Sequence, residues 1–211
     1  MATSRERMQR WHRNWDKHAR IYDRQMRIFD PLLFGDSRQW ACSQASGETL
    51  EVAIGTGLNL SAYPEEVSLT GIDFSEEMLN IARRRASELD RPVELHRADA
   101  QDLPFADSSF DTVVCTLGLC TIPEAGTAVT EMHRVTRPGG RLILVDHIEA
   151  GPWPVRAVQR GLELVTVPLS GEHLLRRPLR QVREAGYTIE AVERLHLGIV
   201  ERLTASKPEA V

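Results

Sequence analysis

Leu50-Glu51-Val52-Ala53-Ile54-Gly55-Thr56-Gly57-Leu58-Asn59 is the stretch whose reading decides the architecture. The apolar run Thr49–Ile54 reads as a buried strand, and Gly55-Thr56-Gly57 ends it in a turn. Short apolar runs then alternate with amphipathic stretches, the mark of parallel strands joined by crossover helices. Val67–Ile72 reads as a second strand stopped at Asp73, and Ser75 caps a helix whose Met78, Leu79 and Ala82 face inward. Val93–Arg97, Phe110–Leu117 and Arg141–Asp146 read as further strands, with a helix over Glu124–Thr136 and a turn at Pro138-Gly139-Gly140.

The last third departs from this alternation. Helices are expected around 153–166 and 172–185, followed by β-like runs Tyr187–Leu195 and Leu197–Leu203, too close together for a crossover helix. The expected fold is therefore α/β: a Rossmann-like, doubly wound, seven-stranded sheet, mostly parallel with the final strand reversed. Upstream, residues 5–29 read as a helix with Met8, Trp11, Trp15, Tyr22 and Met26 on one face, ended by Asp30-Pro31. The expected organisation is one compact domain, with an N-terminal helical cap over 1–45 and the ligand-binding part over 46–206.

Open sheets of this kind bind ligands beyond the carboxyl ends of their strands, where the winding reverses. Glycine at 55 and 57 lets the backbone approach a ligand more closely than a Cβ allows. Asp73, at the tip of the second strand, is placed to accept from both hydroxyls of a ribose. A dinucleotide site needs Gly-x-Gly-x-x-Gly to bring a helix N-terminus to pyrophosphate, but position 60 is Leu and Ala53 stands two before Gly55. An acid at 51 repels phosphate and suits the ammonium of a methionine tail, so the residues favour S-adenosylmethionine (SAM) over NAD.

The motifs together resemble the class I SAM-dependent methyltransferases, in particular the branch holding the quinone C-methyltransferases, bacterial phospholipid N-methyltransferases and small thiol methyltransferases. Leu50–Gly57 is similar to their first motif, with Ala53 in place of glycine, and Gly71-Ile72-Asp73-Phe74-Ser75-Glu76-Glu77-Met78-Leu79 to the second. Arg97-Ala98-Asp99-Ala100 with Leu103-Pro104-Phe105, then Ser109-Phe110-Asp111, then Arg134-Val135-Thr136-Arg137-Pro138-Gly139-Gly140 complete the series. Each alone is unspecific, whereas five in this order are specific, and the likeness runs from about residue 20 to 200. It implies that Gly55 and Gly57 approach the methionine and ribose and that Asp73 holds the ribose. It further implies that Asp99 and the Ala100 N–H meet the adenine, that Phe74 and Met78 pack on it, and that Thr116 and Leu117 line the sulfur end. Glu51 and Ala53 complete the expected cofactor set.

Methyl transfer from a sulfonium needs chiefly alignment and exclusion of water, with a general base where the acceptor is an ammonium. His147 and Asp146 at the end of the fifth strand, and Tyr22 in the capping segment, are the expected acceptor contacts. The expected reaction is methyl transfer to a small or lipidic acceptor, a lipid amine such as phosphatidylethanolamine ahead of a quinol carbon, thiol or natural product. The alternative is a SAM-binding protein or partner subunit without catalysis, for which Ala53 is the support.

Composition narrows the rest. With 42% hydrophobic and 27% charged residues the chain reads as soluble and globular, and no apolar run or charged-then-apolar leader suggests a membrane span or export, so a cytoplasmic location is expected. Cys42, Cys115 and Cys120 form no pair of disulfide or zinc spacing, and no metal site is expected. Residues 1–30 hold eight Lys/Arg against four Asp/Glu, while the remainder holds 18 against 26. A net acidic body argues against nucleic acid as partner. A basic helix carrying Trp11 and Trp15 suggests peripheral contact with anionic membrane, against packing of the indoles on their own domain. The oligomeric state has no signature in the sequence.

Overall fold

The computed structural model describes residues 4–209, the side chains of 4–10 and 12 excepted. Helix α1 (Ser4–Phe29) is stopped where Asp30-Pro31 enters, and a π-type turn over Asp30–Phe34 leads through Gly35 into a short helix α2 (Ser37–Cys42). Its single turn and a half is too short to leave a periodic signal, and the sequence reading passed over it. Strand β1 (Glu48–Val52) starts the sheet, followed by β2 (Ser68–Asp73) and α3 (Glu76–Glu88). The Ser75 hydroxyl accepts from the Met78 N–H, so the expected N-cap forms.

Strand β3 (Glu94–Arg97), β4 (Phe110–Thr116), α4 (Ala125–Val135) and β5 (Thr136–His147) complete the alternating part. Here the sequence reading needs correcting: Pro138-Gly139-Gly140 does not separate helix from strand but lies inside β5. The pairing with β4 slips between Phe110 and Thr112, and the Gly139 N–H and Gly140 carbonyl both bond Lys207, so the glycines form a bulge held from the far side. Helix α5 runs on to Ser170 (Trp153–Ser170) and ends at Gly171 with φ 74°. The expected helix over 172–185 shrinks to α6 (Pro178–Glu184). Residues 174 and 175 instead donate their N–H groups to Glu163, which draws that segment out of a helix and across α5.

Strands β6 (Thr188–Leu195) and β7 (Val200–Ser206) finish a seven-stranded sheet of order β3-β2-β1-β4-β5-β7-β6. Strands β1 to β5 pair in parallel, and β7 runs antiparallel to both β5 and β6, as the close spacing of the last two runs requires.

Alternating residues of the strands feed two apolar layers. Val113, Cys115, Leu142 and Leu144 pack with α4 and α6 through Met132, Val135 and Val182. Val114, Ile143 and Val145 pack on the other face with Ala41 and Cys42 of α2 and Leu79 of α3. The three cysteines are buried free thiols. The order reverses at β1 and β4, so the crevice opens beyond Val52 and Thr116.

Candidate functional site

The turn after β1 carries three left-handed residues, Ala53 (φ 59°), Gly55 (φ 58°) and Gly57 (φ 76°). That conformation costs a side-chain-bearing L-residue roughly 1–2 kcal/mol, so Ala53 is strained. It also ends the strand two residues before the expected Ile54. The methyl of Ala53 lies against Gly118, where an added Cβ would come 2.7 Å from it and 2.9 Å from Cys115 Sγ. The glycines of the turn do different work. A Cβ on Gly55 would meet nothing within 4 Å, which is the open cradle expected for a ligand. A Cβ on Gly57 would come within 2.8 Å of Leu60 and 3.3 Å of the Ala82 backbone, so Gly57 lets the turn pack against α3 and does not line the crevice.

Two adjoining hollows meet over this turn. The first is lined by Ile72, Phe74, Ala98, Asp99, Ala100 and Ile122, and by Trp11 from α1, whose indole N–H is buried without a partner. A flat apolar slot edged by one carboxylate and one unused donor suits a purine; the Asp99 carboxylate already accepts from both nitrogens of Gln101. The second is lined by Gly55, Met78, Thr116, Leu117, Tyr22 and Arg38. Asp73 and Ala53 border both. One Asp73 oxygen accepts from the Gly55 N–H (3.0 Å) and the other from Ser75 (2.9 Å), which orients the carboxylate across the junction. Burial pushes it up to about 6, against the pull of those N–H groups.

Glu51 sits elsewhere than the sequence reading expects. It is 1% exposed and absent from both walls, and accepts from Asn59 Nδ2 at 2.5 Å. Burial pushes it up to about 7, with Asn59, Tyr63 and Arg38 pulling it down. Its charge therefore supports the layer beneath the methionine end instead of facing it. Asn59 relays that support, donating also to the Thr116 hydroxyl (2.7 Å) and accepting from Arg38 Nη1 (3.0 Å).

Arg38, from the unanticipated α2, is a cation that no motif singles out. Its Nε pairs with Asp30 at 2.9 Å, while Nη2 is buried on the wall of the second hollow without a hydrogen bond. An orphaned guanidinium N–H beside a small, mostly apolar hollow suits a carboxylate such as that of a methionine tail.

Helix α1 roofs the crevice. Asp23 accepts from the Thr56 hydroxyl (2.6 Å) and pairs with Arg85 (2.5 Å), and the Ser75 hydroxyl donates to Asp16 at 2.5 Å. Trp15 donates its indole N–H to the Ser170 carbonyl (2.9 Å), and the Trp11 ring lies over Gly171. The apolar face is thus taken up inside the protein, which is the cap arrangement; Met8 lies outside the described side chains.

Beyond the second hollow lies a larger cavity of about 450 Å³ between α1, the 30–34 turn and α5. Its wall is mostly apolar, with Met26, Leu33, Phe34, Val155, Leu162 and Leu174. Trp15, Tyr22, Leu117 and Thr121 border both it and the second hollow, so the two meet there. Tyr22 and His147 line this cavity, and the tyrosine is raised by burial with Arg38 pulling it down. Asp146 does not face it. Its carboxylate is 2% exposed and accepts the backbone N–H of Cys120 (2.9 Å) and His147 (2.8 Å), a positioning task. Glu172, on the loop after α5, stands opposite with Oε1 3.7 Å from His147 Nε2. Nothing in the spacing of these residues could have paired them.

Residues 50–144 match the family described as a methyltransferase domain. Phosphatidylethanolamine N-methyltransferase of Cereibacter sphaeroides is 45% identical over 118 residues, 55% of this chain and 58% of that protein. Demethylmenaquinone methyltransferase of Clavibacter sepedonicus is 37% identical over 158 residues, 71% of this chain and 62% of its own. The chain therefore spans about three-fifths of the length of these relatives. Among solved structures, a SAM-dependent methyltransferase from Thermotoga maritima superimposes with a TM-score of 0.69 at 21% identity, over 92% of this chain and 99% of its own. The [4+2]-cyclase SpnF superimposes with a TM-score of 0.66 at 20% identity, over 83% and 80%, so the fold alone does not fix the chemistry. Residues 50–144, on the sheet and crevice just described, thus match a methyltransferase domain, and the chain is similar there to a phospholipid N-methyltransferase and a quinone methyltransferase.

Proposed function

We propose that the chain transfers a methyl group from SAM to an acceptor seated in the apolar cavity, and that this acceptor is a lipid amine of the phosphatidylethanolamine kind. The observation that carries the reading is that the hollow over the glycine turn meets an apolar cavity at Trp15, Tyr22, Leu117 and Thr121. SAM supplies, when bound, a methyl group already activated on a sulfonium. The protein's part is to place it: Asp73 takes the ribose, the slot of Phe74 and Ala100 the adenine, and Arg38 Nη2 the carboxylate. Leu117, held at φ 55°, supplies an apolar wall where hollow and cavity meet, which disfavours water on the path.

Tyr22 and His147 are the polar groups that meet the acceptor's head. An ammonium must shed a proton before its lone pair can attack, and His147 Nε2 and Glu172 are the groups on the wall able to take it. The 45% identity to a phosphatidylethanolamine N-methyltransferase and the apolar lining both favour a lipid over a small polar acceptor. The same lining accommodates a quinol, thiol or natural product.

A membrane-borne acceptor also calls for a way onto the bilayer. Among the described residues no helix is long and apolar enough to cross one. With Trp11 and Trp15 engaged, the apolar side chains left exposed near the cavity include Ile28, Phe29 and Leu32, and on α5 Trp153 (73% exposed), Leu164 and Leu169. Val158 and Leu162 are exposed on the same helix and also line the cavity, and Leu169 falls on their side of it, whereas Trp153 and Leu164 fall on the opposite side. Peripheral contact through these side chains is part of the proposal.

The test is incubation of purified protein with methyl-labelled SAM and separated lipid, quinone, thiol and amine pools. Label in the ethanolamine lipid supports the reading, label confined to another pool replaces the acceptor, and donor binding without S-adenosylhomocysteine formation from any pool leaves the non-catalytic alternative.

A further inference from the structure

We propose that Cys120, His147 and Glu172 form a binding site for a zinc-class divalent cation in the wall of the acceptor cavity, with the fourth position open to that cavity. The three come from separate elements: the loop after β4, the end of β5 and the loop after α5. Their ligating atoms all lie within 4.8 Å of one another, and His147 Nε2 stands 3.7 Å from Glu172 Oε1. A tetrahedral ion with bonds of about 2.0–2.3 Å sets its ligands roughly 3.3–3.8 Å apart, so small side-chain rotations close the set. All three border the same cavity. Three protein ligands and one open position are what zinc sites that act on a substrate display.

The surroundings support coordination. Asp146 accepts the backbone N–H of both Cys120 and His147, so one buried carboxylate fixes two of the three ligands. The same carboxylate lies 3.5 Å from His147 Nδ1, a buried nitrogen without a hydrogen-bond partner. With Nε2 on a metal, Nδ1 carries the ring proton and faces a carboxylate, the usual outer partner of a metal-bound histidine. The His173 N–H donates to the Cys120 carbonyl at 2.8 Å, which ties the Glu172 loop to the cysteine.

Charge also balances. A thiolate and the carboxylates of Glu172 and Asp146 offset the doubly charged ion and Arg176, whose guanidinium is occupied by the carbonyls of Leu119, Ile122 and Pro123. Coordination exchanges the Cys120 thiol proton, now directed at the Leu117 carbonyl, for the metal, and releases it to solvent. A thiol in the set selects zinc, cobalt or ferrous ions over magnesium or calcium. The open position suits an anionic oxygen or sulfur of the acceptor, a lipid phosphate included; that last step rests on the proposed function, while the ion site stands on its own geometry.

The experiment uses tag-free protein stripped with a chelator and titrated with Zn²⁺ by calorimetry and with Co²⁺ by absorption spectroscopy. Expected are one ion per chain with low-micromolar or tighter affinity, an intense visible band of tetrahedral cobalt and a near-ultraviolet thiolate charge-transfer band. Cys120→Ser should abolish the charge-transfer band, and Asp146→Asn should weaken binding roughly 10- to 100-fold. Binding of S-adenosylhomocysteine, whose crevice excludes Cys120, serves as the folding control. Absence of stoichiometric binding, or a cobalt spectrum unchanged by Cys120→Ser in protein that passes the control, overturns the site and leaves His147 and Glu172 free as proton acceptors; a bound ion would take that task over by holding the deprotonated acceptor or a hydroxide at its open position, and donor binding is untouched by either result.

Discussion

Replacing Arg38 by methionine tests the donor site at its most specific point. Methionine keeps the length and apolar stem but removes the Nη2 donor that is buried on the hollow's wall without a partner. If that donor meets the carboxylate of SAM, it makes a charge-assisted hydrogen bond worth about 1.5–3 kcal/mol, or roughly 10- to 150-fold in affinity. Decarboxylated SAM lacks that one group, so its affinity should stay within about threefold of wild type, or rise slightly as a cation leaves the hollow. Arg38 also holds Asp30 and Asn59, and the variant will lose some stability for that reason. Comparing the two ligands on the same folded protein cancels this loss. Isothermal titration of both ligands against wild type and Arg38→Met is the assay. An equal fall for the two, or no fall for either, would refute the carboxylate assignment.

Asp73→Ala should reduce S-adenosylhomocysteine affinity at least tenfold by leaving two ribose hydroxyls without a buried acceptor, which titration calorimetry reads directly. Glu51 gives a pH prediction with a definite sign. Its folded pKa of about 7 lies above its ordinary value of 4.5, so the folded state holds the proton longer and loses stability as pH rises from about 4.5 to 7. Glu51→Gln should therefore gain on wild type across that window, by at most about 3 kcal/mol at pH 8, and match it near pH 4; thermal melts at the two pH values decide. Gly118→Ala should destabilise by about 1–3 kcal/mol through overpacking on Ala53 and Cys115, and Ala53→Gly in the same chain should restore part of the loss in denaturant melts. Leu164→Glu with Leu169→Glu should abolish sedimentation with anionic vesicles while leaving donor affinity unchanged, since both side chains are exposed on α5 and line neither hollow of the crevice.

What the chain announces in advance is what local chemistry dictates. The parallel strands, the Ser75 cap and the antiparallel closing pair each follow from periodicity, a capping side chain or a connection too short to cross over, and all are found. The places of Asp73 and Gly55 were legible because a strand tip and a turn fix them at the sheet's carboxyl edge. Arg38 and Glu172 were not, because their roles arise from which loops the tertiary fold brings together across the sheet's carboxyl edge. Glu51 shows the opposite error: its type and place fitted a ligand contact, but strand alternation turns the side chain into the layer that Asn59 fills. Pro138-Gly139-Gly140 has the composition of a turn and becomes a bulge only because Lys207 bonds both glycines from β7's far end.

Helix α1 touches both chambers, holding Thr56 and Arg85 above one and lending Tyr22 and Met26 to the other. On the proposed function, both ligands would lean on the same rod, so that filling one chamber stiffens the wall of the other.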